Sequence, residues 1–237
     1  LRRGFTLVEV LIAGSILVVI IIIVTGLFTT TNAAYETEVP LREAQVKAQQ
    51  ICDALVKEVG EGRAGMVWSA AGEAMPSGVT APSAFVFLSA RDAQGRFVMN
   101  GATMQPGWQK TIAYVPLANY PSTGTVSLSR FDFGTGSVPS TIEGYVPRLA
   151  LTSAQVKLEW VPTAGGTAVL SVIKSRSAGV IQCTSLLRFS IEYAKSFTKS
   201  DGTLYTTGAW NINVTISARS SGRAAKAAHD ASIVPRN

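Results

Sequence analysis

From Phe5 to Phe28 the chain carries a single charged side chain, Glu9, in a run otherwise made of residues suited to lipid. The polar remainder is Thr6, Ser15 and Thr25, whose hydroxyls can bond back to carbonyls of their own helix. At about 1.5 Å per residue the run makes a helix of roughly 36 Å, enough to cross a hydrocarbon core of about 30 Å. A cleavable secretory signal has a shorter apolar core, of about 7 to 15 residues, before a small-residue cleavage site. Thr31-Asn32-Ala33-Ala34 imitates such a site only weakly. An ordinary signal anchor fits the length, with Arg2 and Arg3 holding the amino end in the cytoplasm. It leaves Glu9 unexplained, because a carboxylate within a spanning helix is costly and marks a partner or a function. The plain alternative is that Glu9, one turn from Phe5, reaches interfacial water.

Beyond the run the pattern changes twice. Gly26 is expected to loosen the helix, and Pro40, which lacks an N–H for the carbonyl of Glu36, to kink or divide it. Leu41, Ala44, Ala48, Ile51, Leu55 and Val59 then recur at steps of three and four, with Arg42, Glu43, Lys47 and Lys57 on other faces. That is an amphipathic helix laid against a sheet, stopped by Gly60-Glu61-Gly62. Strand patterns follow at 84–90, 96–99, 110–117, 125–131, 154–161, 168–174, 186–194 and 210–218, with hairpin turns at 92–95 and 162–166. The fold class is therefore α+β, a long amino-terminal helix packed on a mainly antiparallel sheet.

Arg2-Arg3-Gly4 ahead of Phe5-Thr6-Leu7-Val8-Glu9 and the long apolar run resembles the leader and processing site of the type IV prepilins and the pseudopilins of type II secretion. The resemblance implies cleavage between Gly4 and Phe5 by a prepilin peptidase, N-methylation of Phe5, and Glu9 as the fifth mature residue. An amino terminus has a reference pKa of about 7.7 to 8.0, and methylation keeps its charge. Glu9 is then its counter-ion, for its own Phe5 or for that of a neighbouring subunit. The implied organisation is a leader at 1–4, a membrane and fibre-core helix at 5–31, its amphipathic continuation at 32–60, a β-rich head at 61–219 and a flexible basic tail at 220–237, in a type IV pilin-like fold. Leu1 is not a typical initiator, so the leader is expected either to be longer or to begin at an alternative start codon.

The same resemblance implies the role of a minor pilin or pseudopilin. Its partners would be other pilins, an inner-membrane assembly platform and membrane lipid before assembly. It would sit in the inner membrane with the head outside the cytoplasm, and then in a fibre. The segments 108–114, 128–130, 186–193 and 210–216 are similar in order to larger J- or W-type minor members, although each also reads as strand residues filling a core. A major pilin, a DNA-uptake minor pilin and a plain membrane-anchored surface-binding protein are the alternatives.

Chain length leaves room for a head of about 160 residues, which buries enough surface to fold without staples. Cys52 and Cys183 are candidates for a disulfide closing a loop of about 130 residues, worth roughly 4 to 5 kcal/mol; the alternative is two buried thiols. The only histidine, His229, falls in the tail expected to be flexible, so no Ser-His-Asp or Cys-His site is expected, nor an enzyme, a cofactor or a metal. Asp132 and Asp201-Gly202 offer calcium only isolated carboxylates in turns. The net charge of +6 is mildly basic. Arg219, Arg223, Lys226 and Arg236 are candidate DNA contacts, but a solvated end is favoured because no aromatics interleave them to stack bases.

Overall fold

The computed structural model describes residues 6–61, 63–69, 83–118, 126–194, 197–198, 204–205, 209–220 and 223–233. A single helix, α1, runs from Leu7 to Gly60 over 54 residues, about 81 Å at the usual rise. It is continuous across Gly26 and Pro40, so the expected division at Pro40 does not occur. A proline removes one N–H from the ladder, and the turns on either side carry the helix through. The helix is unbroken at Gly26, whose carbonyl also accepts the hydroxyls of Thr29 at 2.9 Å and Thr30 at 3.0 Å. Ser15 and Thr25 likewise donate back, to the carbonyls of Ile12 and Ile21, each at 2.8 Å.

The strands are β1 (Arg63–Ser69), β2 (Ser83–Ser89), β3 (Lys110–Ala118), β4 (Val126–Thr135), β5 (Tyr145–Leu151), β6 (Gln155–Pro162), β7 (Leu170–Ser175), β8 (Val180–Ala194), β9 (Phe197–Thr198), β10 (Leu204–Tyr205), β11 (Ala209–Ser220) and β12 (Arg223–Ile233). Among the described residues they form a seven-stranded sheet in the order β1-β2-β3-β4-β8-β11-β12, a three-stranded sheet β5-β6-β7 and the short pair β9-β10. Every pairing is antiparallel. The chain is thus α+β, with a long amino-terminal helix and mostly antiparallel sheet.

Three expectations are corrected. Residues 96–99 make only the isolated bridges Arg91↔Phe97 and Met99↔Pro106. The tight turn at 92–95 takes up the backbone there, with the Gly95 N–H on the Asp92 carbonyl at 3.0 Å. The segment 223–233 is not a flexible tail but strand β12, paired with β11 from Trp210↔Ile233 to Ser220↔Arg223. No disulfide joins Cys52 and Cys183, which are both buried thiols. Cys52 lies against β12, its sulfur 3.7 Å from the His229 carbonyl, whereas Cys183 is on β8 opposite Leu128. The two side chains thus meet different strands of the sheet, with β11 lying between β8 and β12.

The seven-stranded sheet is buried on both faces over β2, β3 and β4. Phe85, Phe87, Ile112, Tyr114, Val126 and Leu128 join the core beneath α1, with Ala48, Cys52, Leu55 and Val59 of the helix. The alternate residues Val86, Leu88, Ala113, Val115, Phe131 and Phe133 join a second core under β5-β6-β7, with Val156, Leu158 and Trp160. Alternation of side chains along a strand makes this division, and apolar residues in both phases allow two covering layers. Over β12 the helix meets Ala227 and Ala231, small residues that admit it closely.

Two arginines of the head grip the last turn of α1. Arg91 makes a two-pronged pair with Glu61, at 2.7 and 2.8 Å. Arg130 of β4 binds Glu58 at 3.0 Å, and the Tyr114 hydroxyl donates to the same carboxylate at 3.0 Å. Burial and the Glu58 charge push the Tyr114 phenol well above its usual range. These contacts fix the helix against the head, and therefore fix how far its other end projects.

Candidate functional site

The amino-terminal end of α1 is built by Thr6 and Glu9. Thr6 is the N-cap, in extended conformation at φ −76° and ψ 150°. Its hydroxyl accepts the Glu9 N–H at 3.3 Å. Glu9 reaches back with Oε2, accepting the Thr6 N–H at 2.9 Å and the Thr6 hydroxyl at 3.0 Å. This is a reciprocal capping box, which satisfies donors that a helix end leaves unpaired. The carboxylate also sits in the first turn, where the helix dipole favours negative charge. The signal was in the sequence as Thr6-x-x-Glu9, and a reading of Glu9 only as a counter-ion passes over it.

From Thr6 to Glu36 every residue is exposed. Leu7 is 82% exposed and Ile20, in the middle of the run, 51%. The helix is long and apolar enough to cross a membrane. The site is therefore a carboxylate one turn inside a bare apolar rod. Among the described residues its hydrogen bonds all fall on Oε2, and Oε1 takes none. Gly4 and Phe5, the expected processing residues, lie outside the described residues.

The remaining candidates do not gather at this end. Cys52 is fully buried in the helix–sheet core; burial, with the charges of Asp53 and Asp230, pushes its thiol up to about 11. Arg219 lies on β11 opposite Ala224, and Arg223 and Lys226 lie on β12. Lys226 is exposed, and Arg236 is outside the described residues. Three of the four basic positions thus belong to an ordered hairpin. His229, on β12, is half-buried and offers its backbone carbonyl to Cys52. Asp132 binds Lys110 at 2.7 Å and caps the Gly134 N–H at 2.8 Å, so its oxygens serve the β3–β4 pairing; Asp201 and Gly202 are outside the described residues. Among the described residues no group of three or more metal-ligating side chains occurs.

Comparison with protein-family models, with curated proteins and with solved structures finds no match to this chain. Its functional reading therefore rests on the residues themselves.

Proposed function

We propose that the chain is a minor pilin or pseudopilin, a structural rather than catalytic subunit of a type IV pilus-like or type II secretion fibre, matured by a prepilin peptidase between Gly4 and Phe5. The observation that carries the reading is Glu9, set one turn into an uncovered apolar helix that continues without a break into the head. In lipid a lone carboxylate is costly. Packing such helices side by side removes their apolar surface from lipid and lets the Oε1 of Glu9 accept from a neighbour's methylated amino terminus. Oε2 stays with Thr6. One carboxylate then both ends its own helix and sets the axial register of the next. The J- or W-type subclass, placement in an inner membrane with the head outside the cytoplasm, and an assembly platform as partner belong to the same proposal.

A plain membrane anchor is the second reading, and the capping box favours it specifically, because capping gives Glu9 work that needs no neighbour. Two substitutions separate them. Glu9→Gln keeps an acceptor for Thr6 but removes the charge, whereas Thr6→Ala removes the cap and keeps the charge. The fibre reading expects Glu9→Gln to abolish incorporation into sheared surface fibres and Thr6→Ala to leave most of it. Mass spectrometry of those fibres should find N-methylated Phe5, at trace ratio to another pilin for a minor subunit and as the dominant species for a major one. An intact 1–4 segment confined to membranes, with the peptidase active on other substrates, overturns the proposal and leaves the anchor.

A further inference from the structure

A cleft of about 250 Å³ opens between the two sheets, away from α1. Its floor is apolar, made by Val86 and Leu88 of β2 and by Ile142 and Pro147 on the other side. Tyr145 and Trp160 add aromatic rings, and among the described residues Glu143 is the charged one in the lining. Glu143 is exposed, and among the described residues it makes no ion pair.

The polar chemistry of the cleft is one-sided. The Trp160 indole N–H is spent on the Ser137 carbonyl at 2.8 Å. The Thr111 hydroxyl donates to the same carbonyl at 3.1 Å, and the Thr111 N–H goes to the Ser137 hydroxyl at 2.9 Å. The Tyr145 N–H is taken by the Ile142 carbonyl at 3.1 Å. With these donors occupied, a Tyr145 hydroxyl that can accept as well as donate and a carboxylate at hand, the cleft suits a group that brings its own N–H donors and positive charge. An aromatic ring attracts such a group that lies over its face. The volume lies below the roughly 300 to 1,000 Å³ of drug-sized sites, and the apolar floor matches an alkyl stem of the kind that carries a charged head group.

We propose that this cleft binds a primary ammonium or guanidinium on a short alkyl chain, with the stem on Val86, Leu88 and Ile142 and the cation at Glu143. Such a group comes either as a free amine or as a lysine or arginine side chain of a protein. The proposal does not depend on the fibre reading.

The test uses the full chain in neutral detergent, following the Trp160 indole N–H by NMR while n-butylammonium, n-butylguanidinium, 1-butanol and butyrate are titrated in turn. Both cations are expected to give saturable shifts, with Kd on the order of millimolar for so few heavy atoms. Butyrate should give none, and 1-butanol should bind several-fold more weakly. Glu143→Gln, at an exposed position that leaves the fold intact, should weaken the cations by roughly three- to tenfold, and Glu143→Asp should restore part of the loss. N-acetyl-lysine N-methylamide distinguishes the sources: binding equal to butylammonium points to a protein side chain, and its exclusion points to a free amine. Absence of saturable shifts with both cations, equal binding by 1-butanol, or unchanged affinity in Glu143→Gln with the other indole signals unmoved overturns the proposal.

Discussion

The two halves of α1 are both rich in apolar side chains and meet opposite surroundings. Leu7 to Phe28 stand in the open, while Ala48, Cys52, Leu55 and Val59 are 0% exposed beneath the sheet. Hydrophobicity alone does not separate them; its distribution around the helix does. The first half is apolar on every face, which no one-sided sheet can cover, and the second keeps an apolar stripe bordered by Arg42, Glu43, Lys47 and Lys57. One continuous helix thus serves two solvents, and the change occurs in the turns around Pro40, where Leu41 is the first residue packed on the core.

Side-chain truncation should separate the two halves most strongly. Leu55→Ala should cost about 2 to 5 kcal/mol of head stability, and Ile20→Ala less than about 0.5 kcal/mol, measured by denaturant unfolding of the full chain in detergent. Equal losses at both sites would mean that the first half is packed against the head after all. A sharper probe of the covered half is alkali. The folded Cys52 thiol titrates at about 11, against an ordinary value of 9.0, so its contribution is complete below pH 9 and is lost as pH rises through 11. The loss should reach roughly 2 to 3 kcal/mol, and Cys52→Ala should remove that part of the slope.

Smaller effects belong to the two ends. Arg130→Met leaves Glu58 half-buried with only Tyr114 of its present partners, and should cost about 1 to 3 kcal/mol. An unchanged midpoint would show that Arg91 and Glu61 hold the helix end by themselves. At the other end Thr6→Ala should cost about 0.5 to 2 kcal/mol locally, seen as faster amide exchange at Leu7 to Val10 with none at Ile112 or Leu158. Exchange that quickens in the head as well would break the picture of an independent first half.

The sequence made α1 legible because its stripe is regular and its stop explicit, and seven strand segments were readable from apolar or alternating runs. The segments that escaped have physical reasons. Arg223-Ala-Ala-Lys-Ala-Ala-His229 has little intrinsic preference for a strand; pairing with β11 and the need for small residues under the helix impose that state. Pro147 argues against a strand at 145–151, yet β5 is an edge of its sheet, where proline is tolerated. The second covering layer was foreshadowed by the unbroken apolar run in Ala84-Phe-Val-Phe-Leu88, a sign of burial on both faces. Which elements would cover each face was not readable, because that depends on pairings distant in the chain. At the candidate site, Thr6-x-x-Glu9 was legible as a cap, whereas the open cleft at Glu143 required two sheets to meet.

The contact between the Cys52 thiol and the His229 carbonyl joins residues 177 positions apart. At about 5 to 20 residues per second of synthesis, roughly 10 to 35 s separate the appearance of the two. During that interval the stripe of Ala48, Ile51, Cys52 and Leu55 waits without β12, one of the two strands on which it chiefly rests. Local order in α1 can form early, but closure of the core is a late, non-local step. Folding of the head is therefore timed by its last described strand, and a nascent chain of this kind has a long window in which something else must shield that face.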